Sequence, residues 1–321
     1  MIQLLTTNKI FLGVGLLLAF ALTIVFMQLF KNKLPQDQGR AYAVDGSLSK
    51  GKVRGVGLIF ILVFAVTDLL FNEFSFERMV YLAVIILSMI TGFLDDASEK
   101  PWNEYLKGAL DLFLAVIVAV NYLYFNGNTI YIGLFGQETI TIPYVLFGII
   151  IVLLVWTAIN VTNCTDGVDG LSATLGIITL GSFYLMFQSY ANMKGFCYSV
   201  SLFIVVLVAY LWFNANPSSM LMGDAGSRAM GTMIAISALM CKAPLLYIPF
   251  SLVMILDGGL GLIKVFIIRF FKIQVFKNTR FPLHDQARKV KGWSNTQVVF
   301  RFAIIQAMVS AACIMSFAFF G

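Results

Sequence analysis

Carboxylate and amide side chains recur in three short segments of the sequence, each beside flexible glycines. The segments are TGFLDDASEK, NVTNCTDGVDGLSA and FNANPSSMLMGDAGSRAMG. Their acidic and amide residues of interest are Asp95, Asp96, Asn163, Asp166, Asp169, Asn214 and Asp224. Hard oxygen ligands of this kind bind Mg²⁺. Phosphoryl transfer uses such a cation to neutralise a diphosphate and a carboxylate to position the nucleophile, so the pattern predicts a phosphoryl-transfer site.

An alternative interpretation is that these acids cap helices. Asp169 stands before GLSA and Asp224 before AGSRAMG, and both positions suit a helix N-cap. Capping explains any one of these residues as well as a ligand role does, but it explains three acidic loops together poorly. The sequence contains neither GxGxxG nor a P-loop of the form GxxxxGK[ST], which excludes the usual soluble nucleotide-binding motifs.

The composition places this site in a membrane protein. Of 321 residues, 60% are hydrophobic and 12% are charged, and the mean hydropathy is +0.88. Soluble domains are about 45–50% apolar and about 25% charged. The net charge of +6 comes from lysines and arginines sorted by loop rather than gathered in one patch, which argues against nucleic-acid binding. The four cysteines lack CxxC spacing, so we expect neither a disulfide nor a zinc site.

Membrane helices must therefore position the acidic loops. We predict an all-α polytopic fold in which residues 1–321 form a single integral membrane domain. A helix needs about 20 apolar residues to cross ~30 Å of hydrocarbon. About ten segments qualify, near residues 10–30, 54–71, 79–94, 106–125, 143–160, 169–190, 196–213, 227–241, 244–270 and 298–320. Asp257-Gly258-Gly259 predicts a break or kink in the ninth helix, and NTIYIGLFGQETITIP predicts a short outer β-hairpin.

The distribution of basic residues predicts the orientation. Most of the 22 lysines and arginines lie in or beside the loops that follow the odd-numbered spans. By the positive-inside rule these loops are cytoplasmic and both termini are outside. Most of the 16 aspartates and glutamates share that side, so we expect the acidic site at the cytoplasmic face of the cell membrane.

The three motifs, in this order, resemble those of the polyprenyl-phosphate N-acetylhexosamine-1-phosphate transferases. The similarity rests on DD at a helix end, NxxNxxDGxDGL two loops later, and MGDxGS after a WFNxxP segment. It extends over essentially the whole chain, and the tail KGWSNTQVVFRF is similar to the phospho-N-acetylmuramoyl-pentapeptide transferase branch. The family implies Mg²⁺, a UDP-N-acetyl sugar donor and undecaprenyl phosphate as acceptor, with UMP released. Assembly as a homodimer stays open.

The resemblance also implies roles for individual residues. Asp95 and Asp96 would be the acidic pair at the lipid-phosphate site, and Asp95 is favoured as the one that activates or orients the nucleophile. Asp224 would be the principal Mg²⁺ ligand. Lys107, at the start of the fourth helix, would contact a phosphate, and Lys50 would do the same unless it serves only as a topology determinant.

The donor site is implied by the second and third loops. Asn163, Asp166 and Asp169 would line the UDP-sugar site, and Asn214 would lie close to the diphosphate. His284, the single histidine of the chain, stands in PLHDQARK where the family has a histidine cluster, and it would contact the nucleotide or diphosphate.

Two departures from the family pattern leave the identity of the sugar open. The histidine cluster is reduced to one residue, and GKVRGVG replaces a TPTMGG-like segment. UDP-MurNAc-pentapeptide is the leading donor, and UDP-GlcNAc or a related N-acetylhexosamine is the alternative. A transporter is a rival of another class, but its acids would lie near mid-membrane among inverted repeats. An inactive paralogue is a further rival, although it would not need to keep all the acids.

Overall fold

The computed structural model describes residues 9–39, 49–100, 102–132, 138–189 and 194–320, most of which are helical. The first part of the chain forms α1 (Lys9–Phe30), a 3-10 turn (Lys31–Lys33), α2 (Gly57–Phe71), α3 (Phe76–Asp96), α4 (Glu104–Asn126), β1 (Thr129–Tyr131), β2 (Thr139–Thr141), α5 (Tyr144–Thr165), α6 (Leu171–Ser189), α7 (Lys194–Asn214) and α8 (Gly223–Met240). The rest forms a 3-10 turn (Pro244–Leu246), α9 (Tyr247–Phe250), α10 (Leu252–Met254), a π-helical turn (Ile255–Gly259), α11 (Leu260–Phe271), α12 (Leu283–Lys289) and α13 (Asn295–Phe320).

Several of these helices can span a membrane. Within the described ranges, six are long and apolar enough, and the bent pair Pro244–Phe250 and Leu252–Phe271 would make a seventh. Each of the ten predicted segments coincides with helical structure. Helices α2 and α6 are apolar but shorter, however, so ten crossings and the outside termini stay predictions. The helical, multi-pass character of the protein is confirmed.

Helix α8 is the centre of the bundle and is buried along its whole length. It packs chiefly on α3 and α5. Glycines on two neighbouring helices permit this approach: a Cβ at Gly57 of α2 would overlap the backbone of Gly226, and a Cβ at Gly92 of α3 would overlap the backbone of Asp224. Small residues let helix backbones come close together. Because α8 faces protein rather than lipid, it can carry Asp224 and Arg228, which a lipid-facing helix could not.

The ninth predicted span is broken, as expected, but the bend lies before the glycines predicted to cause it. Its two halves meet at 71° around Ser251. In a continuous helix, the Val253 N–H would donate to the carbonyl of Pro249. Instead, the side-chain amide of Gln306 on α13 accepts from Val253 N and donates to Pro249 O, each at 2.9 Å. This side chain satisfies both groups at the bend.

Asp257-Gly258-Gly259 produces a different irregularity. These residues belong to the π-helical turn, which continues directly into α11 without a break. The predicted position of the break was therefore wrong. The sequence signal was nevertheless informative, because π-helical turns are rare and occur frequently at functional sites.

A two-stranded sheet joins α4 to α5, as the alternating sequence predicts. Strands β1 and β2 pair antiparallel with Thr129 opposite Thr141. The turn between them, residues 133–137, lies outside the described residues. Tyr131 N donates to the carbonyl oxygen of Lys242 at 2.7 Å, which ties the hairpin to the end of α8.

Candidate active site

The acidic pair lies at the C-terminal end of α3, where each carboxylate is held by a different backbone amide. Asp95 Oδ1 accepts a hydrogen bond from Trp102 N at 2.7 Å. Asp96 Oδ2 accepts one from Ala225 N, in the first turn of α8, at 3.1 Å. The side chains of Asp95 and Asp96 are 4% and 0% exposed. Both carboxylates are therefore fixed in position, and Asp96 joins α3 directly to α8.

Asp224 approaches this pair because glycine precedes it. Gly223 has a φ of +67°, a conformation that glycine adopts readily, and a Cβ there would overlap the Asp96 carboxylate. The N-cap of α8 is Met222, and Asp224 lies inside the first turn. Asp224 therefore does not cap α8. Its two oxygens point to basic side chains on other segments.

Lys107 joins two of the three acids. The Asn103 side chain caps α4 by accepting from Leu106 N at 2.7 Å, which places Lys107 at the start of that helix. Lys107 Nζ lies 2.5 Å from Asp95 Oδ2 and 3.3 Å from Asp224 Oδ2. The predicted lysine is therefore in the acidic cluster, between α3 and α8.

A second ion pair lies one helical turn further along the same two helices. Asp111 on α4 pairs with Arg228 on α8, and both side chains are 3% exposed. Each of these residues is four positions after a member of the Lys107–Asp224 pair, so the two pairs stack on neighbouring turns. Together they fix the position of α4 against α8.

Arg54 links Asp96 to Asp224 and Asp37. It was not among the predicted site residues. Its Nε lies 2.7 Å from Asp96 Oδ1, and its terminal nitrogens lie 3.3 Å from Asp224 Oδ1 and 3.4 Å from Asp37 Oδ2. Burial alone would lower the pKa of Arg54, but the three carboxylates outweigh it and hold that pKa above its ordinary value. Arg54 belongs to GKVRGVG, the segment that departs from the family pattern.

Asp169 and Asn214 form a second group beside the acidic cluster. Asp169 Oδ2 accepts from Ser218 N at 3.0 Å and lies 3.2 Å from Lys52 Nζ. Asn214 Oδ1 accepts from Gly170 N at 2.9 Å, and its Nδ2 donates to Met220 O at 2.9 Å. These bonds join the DGVDG turn (residues 166–170) to the loop between α7 and α8, and Ser218 and Lys52, which contact the Asp169 carboxylate, lie outside α6.

The other predicted residues occupy different positions around this group. Asn163 Nδ2 donates to Ser227 Oγ at 2.9 Å, and Asn163 also hydrogen-bonds the Asp224 side chain, so it belongs to the acidic cluster. Asp166 follows the last residue of α5, where the DGVDG turn begins. Lys50 lies exposed in the turn before Lys52, and Lys52 is the lysine that reaches Asp169.

His284 is buried at the start of α12 and faces the DGVDG turn. Its Nδ1 lies 2.8 Å from Asp257 Oδ2, and its backbone N–H donates to Asp257 Oδ1 at 2.7 Å. A Cβ at Gly167 would overlap its Nε2. The structure therefore brings the single histidine to the same turn as Asp166 and Asp169, as expected from its place in the sequence.

The donor atoms of the cluster suit a hard cation that is shared with a substrate. The described residues contain no group of three or more His, Cys, Asp or Glu side chains arranged around one metal position. Mg²⁺, however, usually binds through one or two carboxylates together with substrate phosphates and water. Asp224 is the carboxylate best placed for this. It shares Lys107 with Asp95 and Arg54 with Asp96, so it is linked to both of the other acids.

Comparison with known proteins agrees with this geometry. Residues 78–242, which include most of α3 and all of α4 and α8, match the model of glycosyl transferase family 4. The phospho-N-acetylmuramoyl-pentapeptide-transferase of Treponema pallidum (strain Nichols) is 36% identical over 326 residues, covering 96% of this chain and 90% of that protein. Proteins of the same name from Dictyoglomus turgidum (strain DSM 6724 / Z-1310) and Borrelia hermsii (strain HS1 / DAH) are 31% and 29% identical, covering 79% and 89% of this chain and equal shares of their own lengths. The chain belongs to glycosyl transferase family 4.

Proposed function

We propose that this protein transfers phospho-N-acetylmuramoyl-pentapeptide from its UDP-linked donor to undecaprenyl phosphate and releases UMP. The observation that carries the proposal is the convergence of Asp95, Asp96 and Asp224 around Lys107 and Arg54. The names of the similar proteins support the donor. In this reaction an oxygen of the acceptor phosphate bonds to the sugar-bearing phosphorus, and the bond from that phosphorus to UMP breaks.

The charges of the cluster explain why a divalent cation is part of the proposal. Four carboxylates, including Asp37, face the two basic side chains, and both substrates are anionic, so the site needs further positive charge to bring them together. Bound Mg²⁺ would supply Lewis-acid neutralisation of the diphosphate. We propose Asp224 as its principal protein ligand, a role in which Asn163 supports the carboxylate through a hydrogen bond.

Asp95 and Asp96 are proposed to orient the acceptor phosphate. A phosphate monoester has its second pKa near 6, so at neutral pH it needs positioning more than deprotonation. Lys107 contacts both Asp95 and Asp224, and it is suited to hold a phosphate oxygen between them. Asp95 and Asp96 end a helix that is long and apolar enough to span a membrane, so their position suits the arrival of a lipid phosphate at the membrane boundary.

The donor is proposed to lie over the DGVDG turn. Asp166 and Asp169 belong to that turn, Asn214 accepts a hydrogen bond from its last residue, and His284 packs against its first glycine. Lys50, in the exposed segment before Lys52, is proposed as a peripheral phosphate contact. We place this site on the cytoplasmic face of the cell membrane because lysines and arginines concentrate on its side of the chain.

A competition assay tests the proposal. Detergent-purified protein receives UDP-MurNAc-pentapeptide and UDP-GlcNAc together, with undecaprenyl phosphate and Mg²⁺, and the lipid product is identified by mass. We expect a lipid diphosphate that carries MurNAc-pentapeptide, with one UMP released per product and no product after addition of a chelator. A lipid that carries only GlcNAc would reject the donor, and a folded protein that uses neither donor would reject the proposed reaction.

A further inference from the structure

Asp257 is a fully buried carboxylate in the π-helical turn, 27 residues before its partner His284. Both of its oxygens are used by that one residue: Oδ1 accepts the backbone N–H of His284 at 2.7 Å, and Oδ2 lies 2.8 Å from the ring Nδ1. The bonds therefore fix both the start of α12 and the rotation of the imidazole ring. Both oxygens of this buried carboxylate contact one histidine, which is more specific than a general packing contact.

The chemistry of the pair determines where the ring proton lies. An ionised carboxylate can only accept hydrogen bonds, and a neutral imidazole has one donor and one acceptor nitrogen. At 2.8 Å from Asp257 Oδ2, Nδ1 must therefore carry the hydrogen. Nε2 is then the acceptor of the neutral ring, and it faces Gly167 in the DGVDG turn. The neighbouring Asp285 carboxylate lies 3.9 Å from Nε2, too far for a hydrogen bond.

Close backbone contacts pack the π-helical turn against α5. A Cβ at Gly258 would lie 2.7 Å from the carbonyl oxygen of Val161 and 2.8 Å from Cβ of Cys164, so the π-helical turn is pressed against the last turns of α5. The same helix continues into the DGVDG turn, where Gly167 leaves space for the His284 ring. Asp257, α5 and His284 thus form one packed unit around the turn.

We propose that Asp257 is a positioning residue that acts through His284. It sets the Nδ1–H tautomer and directs Nε2 at the DGVDG turn, where the UDP-linked donor is bound. The inference rests on the proposed function for the identity of that donor, while the hydrogen-bonding arrangement itself does not. This positioning role also gives a physical reason for the π-helical turn, which brings the Asp257 carboxylate to His284, a residue that follows α11 and the loop after it.

The histidine tautomer can be measured directly because His284 is the single histidine of the chain. Full-length protein labelled with ¹⁵N-histidine in detergent gives one pair of ring nitrogens, recorded at a pH where the ring is neutral. We expect the wild-type protein to carry its proton on Nδ1. A wild-type signal from the Nε2–H tautomer would overturn the proposal without any variant and without any activity measurement.

Two variants separate positioning from packing. Asp257→Asn keeps the size of the side chain but turns one acceptor into a donor, so it cannot accept both bonds from His284. We expect the Nε2–H tautomer to appear and kcat to fall about tenfold or more, the effect typical of residues that orient metal-bound histidines, while Asp257→Glu restores part of both. Asp285→Asn is the matched control for the spectrum, and we expect it to keep the Nδ1–H tautomer.

The outcomes are distinct. A loss of turnover in Asp257→Asn with the wild-type tautomer would show a packing role and overturn the proposal. A changed tautomer with normal turnover would overturn it as well. If the wild-type protein uses neither sugar donor, the proposed function fails, but the tautomer measured in the same sample still decides whether Asp257 orients His284.

Discussion

Helix α3 has a buried ion-pair network at each of its two ends, and the two networks differ in charge balance. Near its first turn, Arg78 pairs with Asp68, whose other oxygen accepts from Asn72 Nδ2 at 2.9 Å and from Ser199 Oγ at 2.6 Å. One carboxylate meets one guanidinium. At the other end, Asp95, Asp96 and Asp224 share two basic residues.

Access to solvent also differs between the two networks. The Arg78 and Asp68 side chains are 8% and 1% exposed, whereas Lys107 and Arg54 at the other end are 28% and 19% exposed. The first network joins α2, α3 and α7, and its charged side chains are less exposed than those of the second, although Arg78 also borders a cavity of about 190 Å³. The second has buried acids beneath basic side chains that a ligand can reach. Excess negative charge together with open access, rather than burial of charge alone, distinguishes the candidate active site.

The largest effect that we predict comes from removing the central acid of the open network. Asp224→Asn keeps the shape of the side chain but removes the charge that would bind Mg²⁺. We expect turnover to fall by at least ~10²-fold, measured as UMP release across a range of Mg²⁺ concentrations and corrected for the folded fraction, because Asp224 also pairs with Arg54 and Lys107. Full activity of this variant at limiting Mg²⁺ would show that Asp224 is not the metal ligand. It would also contradict the assignment of the open network as the functional one.

The open network was only partly predictable from the sequence. Its acids stand out because each lies at the end of an apolar run beside glycine, and a local pattern of this kind is visible without a structure. Arg54 does not stand out, because its partners Asp96 and Asp224 are 42 and 170 residues away and its segment looks like a departure from the family. The packing of α2 on α8 at Gly57, together with the backbone hydrogen bond from Leu221 to Val53, brings Arg54 to the acids.

The same limit applies to the fold. Apolar run lengths predicted where each helical segment lies, since hydrophobicity along a helix is a local property. Pro249, two residues before the bend at Ser251, is a local signal of a helix kink, but the bonds that Gln306 of α13 makes to both halves cannot be read from the sequence. The burial of α8 was likewise hidden, because small residues in a helix indicate close packing without identifying the partner helices.

A smaller effect on turnover is expected from the basic residue that the sequence did not reveal. Arg54→Gln removes the cation shared by Asp96 and Asp224 and leaves their charges to repel each other. We expect kcat/KM to fall about tenfold, less than for Asp224→Asn because Lys107 remains and Arg54 is partly solvated. Arg54→Lys should recover only part of the loss, since an ammonium cannot reproduce the fork of a guanidinium.

The control for Arg54 is the arginine at the other end of α3. Arg78→Gln is expected to lower the thermal unfolding temperature while leaving the turnover of the folded protein unchanged. Equal losses of turnover in Arg54→Gln and Arg78→Gln, each corrected for the folded fraction, would contradict the division between an open functional network and a closed structural one.

The smallest effect on turnover is predicted for Asp68→Asn, which removes charge from the closed network and leaves Arg78 buried without its counter-charge. Breaking a buried ion pair costs about 3–5 kcal/mol, and the asparagine amide should reduce that cost by keeping part of the hydrogen bonding to Ser199. We therefore expect a clear fall in the unfolding temperature and wild-type turnover per folded molecule. The double variant Asp68→Asn/Arg78→Gln should regain part of the lost stability, because the unpaired charge has gone. A double-mutant cycle measures this coupling: additive losses would show that Asp68 and Arg78 contribute independently, and reduced turnover in any of the three variants would mean that the closed end of α3 also serves the reaction.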